Sequence, residues 1–428
     1  MKKKKIYLIF IALFSVAVVF LAFNRHSKYG PYHYRSEIFA DRAGYNIYLP
    51  ALFIYHFQPE EFPEDIVNKT GNGFKLDLVN NKIITKYPYG VALLQAPFFL
   101  TAHILSILTG QKADGFTFFY QKSVDVAAVF YLILGLFALF RLLRKQYSPK
   151  ISFITLGTVF LGTNLFYYSI MDTGMSHVYS FSMFSLYLLL LSERERLPNQ
   201  QIKQGVLLGL VAAVILILRP INLLFILFTF FLYRDVFREK LRSREILFFA
   251  SFILSMFVVI LPQMIYWHYL SGSFIHYSYG NETFTHLADP QLAALFFAPN
   301  NGHLLYNPVF LLFVAGIVLM IVDKKREGVI TGLLLLALSY LISAWWMYYF
   351  GCGFANRNFT EYYAVLALPL AYLIDKPKRK SLQMALYVLL LVFSIYNIKM
   401  ALSFDGCWYG ASNWDWNMYL HWLLNPPS

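Results

Sequence analysis

Acidic and basic side chains suited to group-transfer chemistry cluster in a few polar segments of an otherwise apolar sequence. Glu37 and Asp41 lie four residues apart, so they share one face if this segment is helical. An ionised carboxylate at such a position can accept a proton from a nucleophile. Lys86, Arg219 and Arg357 are candidates for binding a phosphate, and arginine suits this task because its planar guanidinium forms paired charged hydrogen bonds.

Five further residues complete the candidate set. His303 is a candidate for phosphate binding, and the candidates for the lining of the site are Tyr45, Tyr87, Asp172 and His177. The histidines are scattered without the close spacing of a dedicated metal site, so we assign no metal ligands. One divalent cation, held by the two loop carboxylates or by a phosphate, stays open as a cofactor.

The composition is that of a membrane protein. Of the 428 residues, 58% are hydrophobic and only 14% are charged, where a soluble domain carries roughly 25% charged residues. Apolar runs recur along the whole chain. Soluble enzymes, disordered regulators and disulfide scaffolds are therefore excluded. The net charge of +13 is interpreted first as a signal of membrane topology, and no nucleic acid is expected as a partner.

We predict an all-α polytopic membrane protein with about 11 transmembrane helices. Four lysines precede the first apolar run, which is too long and too bulky at its end for a signal peptide, so a first helix with a cytoplasmic N-terminus is predicted. The predicted spans are residues 6–23, 124–143, 151–168, 176–191, 204–218, 221–233, 246–269, 304–322, 329–345, 362–374 and 382–401. Charged residues in the spans are confined to their predicted outer ends: Asp125, Arg219, Glu361 and Lys399.

The apolar segment Gly90–Leu108 is interpreted as a helix in the outer interface. It is apolar enough to span, but Gln95, Pro97 and His103 interrupt it. If it does not cross, 23 of the 36 lysines and arginines lie in cytoplasmic segments; if it crosses, only 9 do. The positive-inside rule favours the first arrangement, which also places the C-terminus outside.

This topology gives one membrane domain, residues 1–428, whose polar chemistry lies on the outer side. The inner loops are short and basic, whereas irregular aromatic loops on the other side indicate the roof of a cavity. The outer segments are residues 24–122, which form the first loop with its juxtamembrane helices, residues 271–303, residues 346–361, and the Trp-rich tail 402–428. We therefore expect the functional face to point outward.

The order of these parts resembles the GT-C superfamily, whose members are integral membrane glycosyltransferases that use polyprenyl-phosphate sugars. The features that carry the resemblance are the acid just past the first span, the stretch Lys86-Tyr-Pro-Tyr-Gly leading into an interfacial helix, and the many short-looped spans. The superfamily includes protein O-mannosyltransferases and lipid A aminoarabinose transferases. The resemblance covers residues 1 to about 244, and the rest in architecture only.

The resemblance implies roles for several residues. Asp41 takes the position of the catalytic base and Glu37 that of a less certain second acid, while Lys86 stands where aminoarabinose transferases keep a lysine near the lipid phosphate. The chain lacks the adjacent Asp-Glu pair of protein O-mannosyltransferases, because Arg42 follows Asp41. A protein acceptor is therefore not implied.

The resulting hypothesis is an inverting transfer of a sugar from a polyprenyl-phosphate carrier to a glycan, lipid or protein acceptor, on the outer side of the inner (plasma) membrane. No nucleotide-binding motif is present, which fits a lipid-carried donor. The alternatives are a lipid or glycan transporter, which would leave the sugar-phosphate bond intact, and a non-catalytic partner in envelope assembly. Cys352 and Cys407 both fall outside, where a disulfide is permitted, although two isolated cysteines are more often unpaired.

Overall fold

The computed structural model describes residues 2–27, 30–193, 200–242, 245–404 and 414–426. These ranges form twenty α-helices and one small antiparallel sheet. An apolar first helix leads into a polar loop, and a helical bundle follows. Both the helix-rich bundle and the small amount of strand agree with the predicted all-α membrane fold.

The first loop contains most of the irregular structure. The first helix, α1, spans Lys2–Ser27. The loop that follows it contains α2 Asp41–Asn46, α3 Tyr48–Phe53, α4 Ile66–Thr70, strands β1 Lys75–Asp77 and β2 Lys82–Ile84, and α5 Gly90–Leu108. The strands pair antiparallel, with Leu76 opposite Ile83. Glu37 precedes the first turn of α2, so the two loop acids do not share a helical face and the helical interpretation of their spacing is wrong.

The bundle is built from apolar helices joined by short connections. They are α6 Phe118–Leu143, α7 Pro149–Leu161, α8 Leu165–Ile170, α9 Ser176–Ser192, α10 Gln201–Leu218, α11 Leu223–Leu232, α12 Arg234–Arg242, α13 Ile246–Ser271, α14 Leu292–Phe297, α15 His303–Tyr306, α16 Phe310–Val322, α17 Arg326–Ala344, α18 Tyr363–Asp375, α19 Lys380–Ser403 and α20 Trp416–Leu424. Every predicted span coincides with at least one of these helices or with α1.

Six helices in the described ranges are long and apolar enough to cross a bilayer, namely α5, α6, α10, α13, α17 and α19. The remaining predicted spans correspond to shorter apolar helices or helical segments. The chain is therefore a multi-pass membrane protein, and the count of 11 spans stays a prediction.

Helix α5 packs against α6 and against the end of α10. Its first residue, Gly90, packs so tightly on α10 that an added Cβ would lie 2.6 Å from the carbonyl of Ile217. Further along α5, the Phe98 ring lies 5.5 Å from that of Phe130 in the middle of α6, and the His103 Nδ1 lies 2.6 Å from the Tyr120 hydroxyl in the first turn of α6. Because α5 is also long and apolar enough to cross a bilayer, its position in the outer interface stays a prediction.

Helices α10 and α13 pack through small residues. Gly205 and Gly209 lie one turn apart on α10, and a Cβ at either would lie 2.1 Å from the hydroxyl of Ser251 or Ser255 on α13. Such small-residue contacts let helix backbones approach closely where no hydrophobic effect drives association. The pairing fixes α13, whose Tyr266 and Tyr269 hold strand β2 of the first loop through hydrogen bonds to its backbone.

The described part of the tail packs against the bundle. The Trp414 indole donates to the Tyr306 hydroxyl at 3.2 Å, and the hydroxyls of Tyr419 and Tyr396 are 2.7 Å apart. Cys352 is disulfide-bonded, which answers for this residue a question that the sequence left open. The chain has two cysteines, and the second, Cys407, lies outside the described residues.

Candidate active site

Asp41 is held at the start of α2 by a close contact between two parts of the first loop. Ala40, directly before it, adopts the left-handed φ of 48°, and its N–H donates to the Thr70 carbonyl at 2.8 Å. Gly73 crosses the same point, where a Cβ would lie 1.9 Å from the Ala40 carbonyl oxygen. A non-glycine residue in this conformation persists only where its surroundings enforce it, so the loop fixes the position of the carboxylate.

The Asp41 carboxylate faces cations and a tyrosine. The two terminal nitrogens of the Arg357 guanidinium lie 3.4 and 3.5 Å from its Oδ2, and the Tyr87 hydroxyl is hydrogen-bonded to it. Burial raises the pKa of Asp41, but Arg357, the bond from Tyr87 and the charges of Lys86 and Arg42 outweigh it, so the pKa lies below its usual range. Asp41 is therefore ionised at neutral pH.

Lys86 lies beside this pair and is covered by the second outer loop. Its Nζ is 2.6 Å from the Glu282 Oε1, and its backbone carbonyl accepts a hydrogen bond from Ser278 at 2.7 Å. The ammonium also lies 5.5 Å from the Tyr87 ring centre and 5.7 Å from that of Tyr279. The Lys86 ammonium therefore lies close to Asp41, and the Glu282 carboxylate balances its charge.

Two tyrosines from the first loop line the floor of the site. The rings of Tyr45 and Tyr87 are 4.2 Å apart, and the Tyr45 hydroxyl lies 3.3 Å from that of Ser176. Burial raises the pKa of Tyr45 and of Tyr87, and the nearby Asp41 carboxylate raises that of Tyr87 further. Both hydroxyls therefore stay protonated and can donate hydrogen bonds at neutral pH.

Arg219 is held by a buried carboxylate that sequence reasoning did not assign to the site. The Glu361 Oε1 lies 2.5 Å from Arg219, and its Oε2 lies 3.0 Å from the His177 Nδ1. A second guanidinium nitrogen of Arg219 donates to the Asn358 side chain. Burial raises the pKa of Glu361, but Arg219 and His177 outweigh it and the net shift is downward. The segment that carries Arg357 therefore also fixes Arg219.

Asp172 forms an ion pair with Arg42, the residue that follows Asp41 in sequence. Its Oδ1 lies 2.8 Å from a terminal nitrogen of Arg42, whose guanidinium also donates to the Phe39 and Tyr34 carbonyls. Asp172 therefore anchors the α8–α9 connection to the first loop. In this position it borders the site through Arg42 and helps to hold α2 in place.

Glu37 belongs to a different cluster. Its Oε1 lies 2.5 Å from the Lys122 Nζ, which is also 3.4 Å from the Asp125 Oδ2, while Asp125 accepts a hydrogen bond from Thr173 at 2.8 Å. The carboxylate is thus enclosed at the start of α6. A single divalent ion bridging the two loop acids would require one of their ion pairs to open, and the described residues contain no cluster of three metal-binding side chains.

His303 lies apart from the phosphate-binding candidates. It is fully buried, its Nε2 shares a hydrogen bond with the Tyr363 hydroxyl at 3.2 Å, and its ring packs 4.2 Å from the centre of the Phe359 ring. Its surroundings are aromatic, so we assign it a packing role. Of the predicted residues, the structure thus brings together Asp41, Lys86, Arg219, Arg357, Tyr45, Tyr87, Asp172 and His177 and leaves out Glu37 and His303.

Sequence reasoning missed Glu361, Glu282, Tyr279 and Arg42 as members of this arrangement. Glu361 carried a usable signal, since an acid at the end of an apolar span requires a partner. Glu282 and Tyr279 lie in a polar loop of ordinary composition, where no local pattern marks the residues that turn toward Lys86.

A cleft of about 590 Å³ opens beside Asp41. Its residues come from three parts of the first loop: Asp41, residues 66–67 and 70–76, and residues 84–87, which include Lys86 and Tyr87. The volume is within the range of small-molecule sites. The carboxylate and Lys86 are therefore reachable from the cleft, whereas Arg357 does not line it.

The chain resembles known proteins in its fold, while the sequence comparisons find no match. No family model matches the chain, and no curated protein matches it. Among solved structures, ArnT from Cupriavidus metallidurans, bound to undecaprenyl phosphate, is 12% identical with a TM-score of 0.55, over 90% of this chain and 63% of that chain. The oligosaccharyltransferase AglB from Archaeoglobus fulgidus, in complex with an inhibitory peptide and a dolichol-phosphate, is 13% identical with a TM-score of 0.49, over 100% of this chain and 57% of that chain.

The likeness to ArnT shows that the chain shares the fold of that membrane protein. It does so at the level of architecture, because 12% identity leaves individual residues unassigned. The chain spans less than two thirds of the length of either of these proteins.

Proposed function

We propose that this protein is a glycosyltransferase that moves a sugar from a polyprenyl-phosphate carrier to an acceptor hydroxyl. The observation that carries the proposal is an ionised carboxylate, Asp41, which lines an open cleft and faces Arg357 and Lys86, on a fold shared with ArnT. Transfer from a lipid phosphate needs this combination: a base for the acceptor and fixed positive charge for the departing phosphate. The bound undecaprenyl phosphate of ArnT supports the choice of donor.

Asp41 acts as the general base. As the acceptor oxygen attacks the anomeric carbon, its proton passes to the Asp41 carboxylate while the bond between that carbon and the phosphate oxygen breaks. The lipid leaves as a polyprenyl phosphate that carries the bonding electrons. A single displacement of this kind inverts the anomeric configuration. The low pKa of Asp41 keeps the base ionised, and the Tyr87 hydroxyl orients it.

Arg357, Lys86 and Arg219 stabilise the negative charge that grows on the phosphate. In the structure, each cation is balanced by a carboxylate, namely Asp41, Glu282 and Glu361 respectively. The Arg357 contact is the longest of the three, at 3.4 Å, so it is the one that a phosphate displaces most readily. Donor binding would then draw Arg357 toward the phosphate and release Asp41 for the acceptor.

We place the protein in the inner (plasma) membrane with its N-terminus in the cytoplasm and this site outward. The basic inner loops support this orientation. The disulfide at Cys352 lies five residues before Arg357, and disulfides persist in oxidising compartments, which lie on the outer side of a plasma membrane. The donor would enter from the bilayer and the acceptor from the aqueous phase.

The test is the release of free polyprenyl phosphate by the purified protein in lipid. Undecaprenyl-phosphate sugars are offered with and without a mixture of envelope glycans, lipids and peptides, and the free lipid phosphate is quantified. The proposal predicts release that requires an acceptor. The same protein in sealed liposomes, moving the intact donor across the bilayer without release, would contradict the proposal and identify a transporter.

A further inference from the structure

The cleft beside Asp41 is built from the first loop alone. Every residue that lines it lies between residues 41 and 87, in α2, α4, the hairpin and their connections. Helices of the bundle contribute none of the lining. A lipid-borne substrate must reach the site between membrane helices, so this cleft serves a ligand that arrives from water.

The wall of the cleft is fixed directly to the residue that precedes the base. The Thr70 carbonyl bonds the Ala40 N–H, and Gly44 lies so close to Gly73 that a Cβ would be 2.3 Å from the Gly73 carbonyl oxygen. Gly44 also leaves room for the Tyr87 ring, which would lie 2.5 Å from its Cβ. A group seated against this wall is therefore held at a defined distance from the Asp41 carboxylate.

The lining alternates polar and apolar groups. The exposed Asn72 side chain supplies an amide, while the Thr70 and Thr85 hydroxyls are buried and donate to the Ile66 and Gly44 carbonyls, so they can only accept hydrogen bonds from a ligand. The apolar side chains of the lining are Ile66, Val67, Phe74, Leu76 and Ile84. Such a surface matches a sugar ring, which carries hydroxyls on its rim and C–H groups on its faces. The strands are only three residues long, and the Tyr266 and Tyr269 side chains bond the backbone of β2, so an extended peptide finds little strand edge to pair with.

The charged residues of the cleft disfavour sugars that carry ammonium groups. They are Lys75, Lys86 and Asp41, two cations and one anion. Lys75 lies at the outer part of the wall and is exposed, whereas Lys86 is balanced by Glu282. The balance disfavours an acceptor that carries ammonium groups and favours a neutral or anionic one.

We propose that this cleft is the acceptor subsite and that its ligand is a soluble neutral or anionic oligosaccharide, whose hydroxyl is presented to Asp41. The assignment rests on the proposed function for its catalytic meaning. The binding itself does not depend on turnover, so the two can be tested separately.

The test blocks the cleft with a covalent label. Val67 lines the cleft and its side chain is 57% exposed, while Val79 at the hairpin tip is 93% exposed and does not line it. The full-length Val67→Cys and Val79→Cys variants are reacted with a bulky maleimide, alongside the parent protein as a control for the native cysteines. Binding of short neutral and anionic oligosaccharides, of an unstructured peptide mixture and of undecaprenyl phosphate is then measured for each.

The proposal predicts that oligosaccharides bind the parent and that labelled Val67→Cys binds them at least roughly tenfold more weakly, which corresponds to about 1.4 kcal/mol. Undecaprenyl phosphate binding and all binding to labelled Val79→Cys should stay unchanged. Equal oligosaccharide binding by labelled and unlabelled Val67→Cys would overturn the assignment, as would a parent that binds peptides in the cleft and no oligosaccharide. Oligosaccharide binding lost with the label, in a protein that releases no lipid phosphate from any donor, would support the subsite and reject the transferase.

A second variant sharpens the ligand class. Lys75→Gln removes the exposed cation of the wall and keeps its polarity. Binding of anionic oligosaccharides should weaken by about two- to fivefold, the range for one solvent-exposed charge, with no change for neutral ones. Equal weakening of both groups would contradict the charge-based preference.

Discussion

The two acids of the first loop, four residues apart, have opposite environments. The Asp41 side chain is 40% exposed, faces a cleft and is 3.4 Å from its cation, whereas that of Glu37 is 3% exposed and 2.5 Å from Lys122. One carboxylate is ionised and reachable, while the other is enclosed in a tight ion pair. Under the proposed function, this difference makes Asp41 the acid that exchanges a proton with a ligand, whereas Glu37 holds the loop on α6 through Lys122.

The strongest test of this contrast is the loss of the base. Asp41→Asn keeps the size of the side chain and removes its ability to accept a proton, so transfer should fall by roughly 10²- to 10⁴-fold. The initial rate of polyprenyl phosphate release in lipid checks this, and the thermal unfolding midpoint should remain near that of the parent. A rate within a few fold of the parent would assign the proton to another group.

The reverse result is expected for the enclosed acid. Glu37→Gln removes the nearer of the two carboxylates that pair with Lys122 and leaves Asp125, at 3.4 Å, as the remaining partner, so the free energy of unfolding should fall by about 1–3 kcal/mol. The folded fraction should keep its transfer rate within a few fold. Chemical unfolding in detergent measures the first effect, and activity per folded molecule measures the second.

Asp65→Asn is the matched control for this variant. It removes the more exposed partner of the Lys69 pair, whose side chain is 56% exposed, so the loss should be no more than about 1 kcal/mol. Equal destabilisation by the two substitutions would show that the enclosure of Glu37 has no special role.

The pH dependence of transfer tests the coupling between Asp41 and Arg357. Activity needs the ionised carboxylate and is lost as the pH falls through its pKa, which Arg357 holds below the usual range. Arg357→Gln should therefore move the acid limb of kcat/KM to higher pH, and it should lower the rate by roughly 10²- to 10³-fold because a charged donor to the phosphate is gone.

Lys376→Gln is the control for the pH measurement. This variant removes a cation that pairs with Asp323, on the helix end opposite to the site. Its acid limb should coincide with that of the parent. An unshifted limb in Arg357→Gln would contradict the assignment of Asp41 as the titrating base.

The smallest of these effects concerns Glu361, which positions Arg219. Glu361→Gln keeps the hydrogen-bonding shape and removes the charge, so transfer should fall about tenfold, mainly through a higher KM for the lipid donor. Glu282→Gln, at the exposed Lys86 pair, should change the rate by no more than about fivefold. Loss of this buried ion pair should also lower the unfolding midpoint, so the KM for the lipid donor is the deciding measurement. A lower kcat with an unchanged KM for the lipid donor would contradict the positioning role.

The sequence predicts the parts of this molecule that depend on local composition. The apolar spans coincide with helices because hydropathy and helix length are properties of contiguous residues. Asp41 and Lys86 could be predicted because their positions follow from the order of loop and spans along the sequence.

The partners of the site residues depend on tertiary structure, which composition does not encode. Arg357 and Asp41 are 316 residues apart in sequence, and no pattern near either residue predicts their contact. The sequence spacing of Glu37 and Asp41 does not show which of the two acids faces the site. The difference arises because Lys122 on α6 pairs with Glu37. In the sequence, His303 is a candidate for phosphate binding. In the structure, it is enclosed by aromatic rings from α16 and from the residues just before α18.

The most direct test of the central claim compares Asp41→Asn and Glu37→Gln in single turnover. Each folded variant is loaded with an undecaprenyl-phosphate sugar, a saturating acceptor mixture is added, and the rate of lipid phosphate release is followed, so that differences in donor binding do not contribute. The account predicts release at nearly the parental rate from Glu37→Gln and a loss of roughly 10²-fold or more from Asp41→Asn. Fast release from Asp41→Asn, with loss in Glu37→Gln, would contradict it.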